Sequence, residues 1–475
     1  MKKTAALATC AMLGTTALSH AGGLDRSMQS VLPLFDADGT VSVATTFAFP
    51  SLTGRDLNGD ATYDAGENFT QTTVTYAGEV NDRFSFAVIG DQPFGLDLDY
   101  GNTPQSSALG GTTADLYGNA LSVLGRYKIT DRVSVFGGVR AQRAGGTINL
   151  NGVGYSRALG AGFAGRGLLQ GIATTAANPN AALADRQAAG GILAGIDAAN
   201  DQVGAVTALA GAIAGNPTND PNVANLTNAL NANTTLQGQF GAAQGSFANT
   251  ASLPFPGLTG STFLTNDGYN VDIDGDWGVG LTLGAAYEIP EIALRAVLTY
   301  HSEIIHETTA TEAINFDGND LSSSTGLTFE TPQSINLELQ SGVAEGTLVF
   351  GGVRWTDWDD FNVTPSLLSS NLANINDTYR WTLGVARQFT DSFVGVASLV
   401  YEEDQGSASQ TPLGPTDGIL GLSLGGRYET GALQISGGIN YTKVGDAIVR
   451  AGSTPVAIFE GSDAIGVGLK VAYQF

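Results

Sequence analysis

Cysteine is all but absent: Cys10 is the only one in 475 residues. A disulfide framework is therefore excluded. Long apolar runs are missing too. Beyond the N-terminus no stretch approaches the roughly 18 apolar residues of a spanning helix. Helical membrane spans are thereby excluded, but strand-built ones are not, because alternation averages their hydropathy toward zero. Mean hydropathy is indeed +0.06. Charge is sparse, at 14% of residues, and positive charge is scarcest, with 21 Lys and Arg against 45 Asp and Glu. A net charge of −24 argues against a nucleic-acid partner. It suits surface loops that hold divalent cations.

What the chain has in plenty is glycine, 64 residues, and length. So long a chain exceeds an ordinary domain unless it forms one large barrel. Met1–Ala21 reads as a signal peptide: Lys2 and Lys3, the apolar Thr4–Leu18, then the small-x-small site Ser19-His20-Ala21. Cys10 lies inside it. A lipoprotein site at Leu7-Ala8-Thr9-Cys10 is disfavoured, since the apolar segment before it is too short. Gly22–Gly39 is not strand-like and is long enough to fold into a lumen as a plug or hatch.

From residue 40 onward, alternating strands are separated by turn signals. The pattern predicts strands over Thr40–Phe49, Phe69–Val80, Arg83–Gly90, Thr113–Lys128, Arg132–Ile148, Gly268–Glu288 and Ile292–His306. It continues with Leu327–Gln340, Glu345–Asp357, Thr378–Phe389, Ser392–Glu402, Gly418–Glu429, Ala432–Val444 and Ile458–Phe475, fourteen in all. The connections alternate short and long, as periplasmic turns and outer loops do. Strand side chains alternate between two faces. Trp277, Val279, Leu281, Leu283, Ala285 and Tyr287 form a lipid-facing row with aromatic ends, and Leu420, Leu422, Leu424 and Tyr428 form another. In the last strand Ile465, Val467, Leu469, Val471, Tyr473 and Phe475 face outward. The fold class expected is all-β: a 14-stranded antiparallel transmembrane β-barrel over 40–475, with an N-terminal lumen plug at 22–39. A large, partly helical extracellular loop would occupy 145–266. Apolar residues at helical spacing there, such as Val203, Val206, Leu209 and Ile213, favour helices. An Ala/Gly-rich spacer is the alternative.

Three residue groups carry chemistry. Asp56, Asn58, Asp60, Thr62, Asp64 and Glu67 have the oxygen-ligand spacing of an EF-hand-type calcium loop, but Ala61 stands where the sharp turn usually takes glycine. A structural Ca²⁺ would sit there; the alternative is an acidic surface loop. His301, Ser302, Glu303 and His306 are the one grouping with hydrolase-like residues. Neighbours in a strand face opposite ways, so His301 and Ser302 cannot form a dyad, and no enzyme is expected. Alternation points Arg126, Arg140, Arg295, Arg354, Arg380 and Arg427 into the lumen. Arginine suits a carboxylate head group, so Arg140, Arg354 and Arg380, with His301, are candidate ligand contacts. The alternative is a lumen network with Asp and Glu.

Several segments in order resemble the FadL-type (OmpP1/FadL/TodX) outer-membrane transporters of long-chain fatty acids and hydrocarbons. They are Gln92-Pro93-Phe94-Gly95-Leu96, Tyr300-His301-Ser302-Glu303-Ile304-Ile305-His306, Pro332-Gln333-Ser334-Ile335-Asn336-Leu337, and Val353–Phe361 with its Trp355-Thr356-Asp357-Trp358 core. The similarity spans roughly Gly22 to Phe475 apart from the enlarged loop. It implies a barrel plugged by a hatch, a ligand caught in an outer apolar groove and passed to a lumen pocket, and lateral exit at a kink in the third strand. That kink would fall at Gly90, Pro93 and Gly95, where Pro93 cannot donate to a ladder. Two features depart from the family: Gly22–Gly39 lacks its Asn-Pro-Ala, and the loop after the fifth strand is larger. The expectation is passive uptake of a hydrophobic molecule across a Gram-negative outer membrane by a monomer bathed in lipid. The rivals are a general hydrophilic porin, an outer-membrane enzyme and a calcium-binding surface or adhesion barrel.

Overall fold

The computed structural model describes residues 24–159, 177, 262–316, 319–404, 411–452 and 454–475. The expected signal peptide and the apolar rows at helical spacing between 160 and 261 lie outside them. The strands in chain order are β1 (Thr40–Ser51), β2 (Thr53–Asp56), β3 (Thr62–Asp64), β4 (Phe69–Asn81), β5 (Phe84–Asp99), β6 (Thr113–Lys128), β7 (Val133–Leu150), β8 (Tyr269–Ile289), β9 (Leu294–His301) and β10 (Ile304–Phe316). They continue with β11 (Asn319–Thr331), β12 (Ser334–Ala344), β13 (Thr347–Thr356), β14 (Thr378–Gln388), β15 (Phe393–Glu402), β16 (Ile419–Thr430), β17 (Leu433–Val444), β18 (Ala447–Ala451), β19 (Thr454–Phe459) and β20 (Asp463–Gln474).

Sixteen of these form one antiparallel sheet that closes on itself. Closure is made by β1, which pairs with β4 on one side and β20 on the other; Val43 lies opposite both Val74 and Val471. A closed sheet has no edge in the hydrocarbon, which is what lets strands cross a membrane. Two wall strands are interrupted. β9 and β10 break at Ser302-Glu303, and β11 and β12 break at Pro332-Gln333. At the first break the Ser302 hydroxyl accepts the Leu281 N–H at 2.9 Å and stands in for a ladder carbonyl. At the second, Pro332 has no N–H to give. Counting each interrupted pair as one crossing gives the fourteen strands expected.

The boundaries differ from expectation where the ladder outruns the lipid. β9 and β12 pair within the wall, while β10 and β11 continue as a hairpin from Ile304↔Thr331 to Phe316↔Asn319. That hairpin is rich in Thr and Ser, so its pairing is not marked by the hydrophobic alternation. The third strand was expected to stop at Gly90 but runs on to Asp99. The last begins at Asp463, and Ile458 belongs to β19. The fifth strand, expected over Arg132–Ile148 with the loop overlapping it from 145, runs as β7 to Leu150, so Asn149 and Leu150 extend the strand into the expected loop.

The outward faces are as predicted. Trp277, Val279, Leu281 and Leu283 are exposed, as are Leu420, Leu422, Leu424 and Ile465 through Phe475 on alternate residues. So large an exposed apolar belt requires lipid against it. Gly278 and Gly280 face inward, where an added Cβ would meet Ile304.

Inside the ring lies the N-terminal segment, with a short 3-10 helix at Leu32–Phe35. Its polar contacts reach strands on several sides: Arg26 to Asp97 on β5, Gln29 to Arg140 on β7, Ser30 to Glu338 on β12, and Asp25 to Arg354 on β13. Phe35 sits between the guanidiniums of Arg126 and Arg295, 4.1 and 4.5 Å from its ring. A second, four-stranded sheet, β18-β19-β2-β3, is built from the first and last outer loops. Tyr63 stacks on Phe459 in its core, and Tyr100 meets both edge-on.

Candidate functional site

Toward the outer-loop end, above the N-terminal segment, is an apolar cavity. Water-sized molecules have about 60 Å³ for their centres there, which is room for a few waters. None of its lining residues is charged. Three rings meet edge-on in its wall: Phe94 to Trp358 at 5.6 Å, and Trp358 to Phe361 at 5.5 Å. Phe329 adds a fourth ring, 6.5 Å from Phe361 and stacked on His306 at 5.0 Å. Such edge-to-face contacts suit the positive rim and negative face of aromatic rings. The roof comes from the loop after β13, which supplies Trp358, Phe361, Val363, Leu372 and Ile375.

Glu312 on β10 holds that loop. Its buried carboxylate accepts the N–H groups of Leu367 and Leu368 and the hydroxyls of Ser366 and Tyr269, all between 2.8 and 3.0 Å. Charge-assisted bonds of this kind are about twice as strong as neutral ones. Asp377 pins the loop ends through Trp355 and Asp359.

Leu24, Phe94 and Gly95, which line the cavity, also border a break in the wall. β4 and β5 are paired from Asn81↔Phe84 up to Val74↔Gly90, and no further. Beyond Gly90 a bulge falls between Asp91 and Phe94 in the pairing with β6. It absorbs one extra residue at Gln92-Pro93, and Pro93 brings no N–H. Phe69–Thr73 of β4 therefore pair with β1 alone. The N-terminal segment takes the vacated ladder sites from inside. Arg26 N–H donates to Pro93 O at 2.8 Å, and Gly95 N–H donates to Leu24 O at 3.0 Å. Across the opening the Gln92 side-chain oxygen accepts the Thr72 N–H at 2.9 Å. Arg26 lies over the Phe69 ring at 4.1 Å and pairs with Asp97. Higher up, Glu67 N–H to Asp97 O closes the frame. The result is a bounded window between β4 and β5 that backs onto an apolar cavity.

A family model described as outer membrane protein transport protein (OMPP1/FadL/TodX) matches residues 24–475. The chain belongs to this family. No curated protein matches it in sequence. Among solved structures, a Pseudomonas aeruginosa FadL homologue is similar at 13% identity and a TM-score of 0.61, covering 99% of this chain and 98% of that one. The Pseudomonas putida toluene transporter TodX is similar at 14% identity and 0.55, over 98% and 96%. The Ralstonia pickettii toluene transporter TbuX follows at 12% and 0.52, over 98% and 96%. At such identities these three speak for the fold alone. Membership of the OMPP1/FadL/TodX family makes the chain an outer-membrane β-barrel channel for hydrophobic compounds.

Of the candidate ligand residues, the barrel brings none to the apolar cavity. Arg354 is fully buried and grips Asp25 with two nitrogens, at 3.0 and 3.1 Å, while its third donates to Ser334 and Asn336. Arg380 pairs with Glu402 at 2.9 Å. Arg140 donates to Gln29, and His301 Nδ1 meets Thr282 Oγ1 at 3.0 Å. Arg140 and His301 share a small polar cavity of about 10 Å³ with Asp91 and Ser122, room for about one water. The lumen network with acids that alternation left open is thus what forms around Arg354 and Arg380. Gly90, Pro93 and Gly95 do gather at one place, the bulged edge of the window.

The six calcium-spaced residues are not gathered. They lie on and around the β2–β3 hairpin, where Thr53↔Asp64 and Arg55↔Thr62 are cross-strand pairs. Asp56 turns inward, where its carboxylate accepts from the Tyr63 hydroxyl and, at 3.0 Å, from the Ala108 N–H. Burial pushes this carboxyl up from its usual range, against those two donors. Asp64 accepts from Ser51, while Asn58 and Asp60 are exposed at the turn. Among the described residues no three acidic, His or Cys groups are placed to hold a metal.

Gln142 was not singled out from sequence, and Trp358 and Phe361 were noted only within a family-like segment, not as lining residues. Gln142 shares the inward face of β7 with Arg140, two residues away, and alternation alone could have flagged it.

Proposed function

We propose that this protein takes up small, uncharged apolar molecules passively, receiving them in the ring-lined cavity and releasing them sideways through the β4–β5 window. The observation that carries the reading is that Leu24, Phe94 and Gly95 belong to both cavity and window. Apolar burial, at about 25 cal/mol per Å², supplies the binding. The N-terminal segment would act as the hatch, since its Leu24 and Arg26 lie against the window's inner edge. Of the two cargo classes anticipated from sequence, fatty acids and hydrocarbons, long-chain fatty acids need a cation for the carboxylate. Arg354 and Arg380 are already paired with carboxylates, and Arg140 lies away from the apolar cavity, which favours an uncharged guest there. That TodX and TbuX are toluene transporters is consistent with this preference.

Deleting Pro93 tests the route. Removing one residue from the bulge restores the β5–β6 register and lets β4 extend its pairing, sealing the window. Uptake of toluene by cells should fall to the level of cells lacking the protein, with the folded barrel still seen by its heat-dependent gel mobility. Unchanged uptake would sink lateral release.

A further inference from the structure

One side chain lies in the opening between β4 and β5. The Arg26 backbone is pinned: its N–H and that of Ser27 donate to Pro93 O at 2.8 and 3.3 Å, and Leu24 O accepts from Gly95 N–H. The Asp25 carboxylate beside it is held by Arg354 at 3.0 Å. From that fixed backbone the Arg26 guanidinium reaches over the Phe69 ring of β4, at 4.1 Å, and pairs with Asp97 of β5. Leu96 and Leu98 are buried, Asp97 between them is partly exposed, and its cross-strand neighbour Asp115 is exposed. Strand side chains alternate, so Asp97 belongs to the outer face. A lumen residue that ends on an outer-face carboxylate passes through the gap. The same guanidinium backs onto the cavity: a Cβ added to Gly95, which lines it, would stand 2.6 Å from the guanidinium carbon. An apolar guest can neither share that space nor replace the charge's partners. We infer that the Arg26 side chain is the gate of the window and Asp97 its latch. The guest passes when the guanidinium swings off Phe69 and Asp97, while the segment's backbone stays bonded to β5. This rests on the window being the release route proposed above. Moving the whole segment would separate Asp25 from Arg354 and strand two buried charges. Swinging one long, rotamer-rich side chain does not.

The test places a single thiol in the cavity wall. Cys10 is the chain's one cysteine and is changed to serine, and Ala144→Cys is introduced at a buried lining position. The protein is reconstituted in liposomes preloaded with N-ethylmaleimide, and the rate of thiol labelling is measured. Adding Arg26→Ala or Asp97→Asn should raise that rate about tenfold, as for the loss of one charge-assisted hydrogen bond. Asp97→Asn leaves the N-terminal segment itself untouched, so it tests the latch even if Arg26→Ala loosens the fold. The gain should vanish when Pro93 is also deleted, because that deletion seals the window. Labelling that stays at the parent rate in both variants overturns the gate. So does a gain that survives the Pro93 deletion, since the reagent then enters elsewhere. The release reading stands in either case if deleting Pro93 alone still abolishes toluene uptake, and it fails if uptake is unchanged.

Discussion

Asp25 and Arg354 are the pair on which the N-terminal segment turns. Both are nearly inaccessible, and Thr356 adds a third bond to the same carboxylate at 3.1 Å. A buried ion pair need not stabilise a fold relative to an apolar one, but removing one partner strands the other charge. Asp25→Ala should therefore cost about 3–5 kcal/mol of anchoring. The expected outcome is faster hydrogen exchange and protease cleavage confined to residues 24–35, with the barrel unchanged. Alternation placed Arg354 in the lumen from sequence alone. Its partner was not legible, because 329 residues separate Asp25 from Arg354 and no local rule spans that distance.

At the scale of elements, the outward rows could be read because lipid imposes a strict period of two on every strand that meets it. Leu283 lies on such a row and is exposed. Leu283→Arg should destabilise the barrel by about 2–4 kcal/mol if it sits near the bilayer midplane, as measured by unfolding in liposomes. The loop after β13 is governed by Glu312 instead, a residue no pattern marked. Its fully buried side chain serves two backbone N–H groups and two hydroxyls. Glu312→Ala should leave several of these unpaired, at about 1–3 kcal/mol each. The loop from Val363 to Ala373 should then exchange its amide hydrogens quickly, and toluene uptake should change with it. A variant with native exchange there would show that the clamp is dispensable.

For the whole molecule, the question is what keeps the lumen from being an open pore. Inward positions are mostly small, as Gly278, Gly280 and Gly284 are, so the wall itself does not fill the ring. The segment Leu24–Phe35 lies inside it and contacts β5, β7, β12 and β13, and we propose that it serves as the plug. Deleting it should turn a nearly silent protein into one with steady ionic conductance in planar bilayers. Steady conductance from the intact chain would instead favour the hydrophilic porin.

Sequence by itself determined the barrel: the strand number, the faces, the lipid belt and the inward arginines. Each follows from a period of two against a membrane, which acts on every residue locally. It also marked Pro93 as a ladder fault. Tertiary structure decided the rest. Arg354 and Arg380 meet carboxylates, Asp56 turns inward on its hairpin, and Phe94, Phe329, Trp358 and Phe361 converge on one cavity. Those four rings come from three separate stretches of chain, and only closure of the sheet brings them together. Where partners are set by closure, no pattern along one strand can name them.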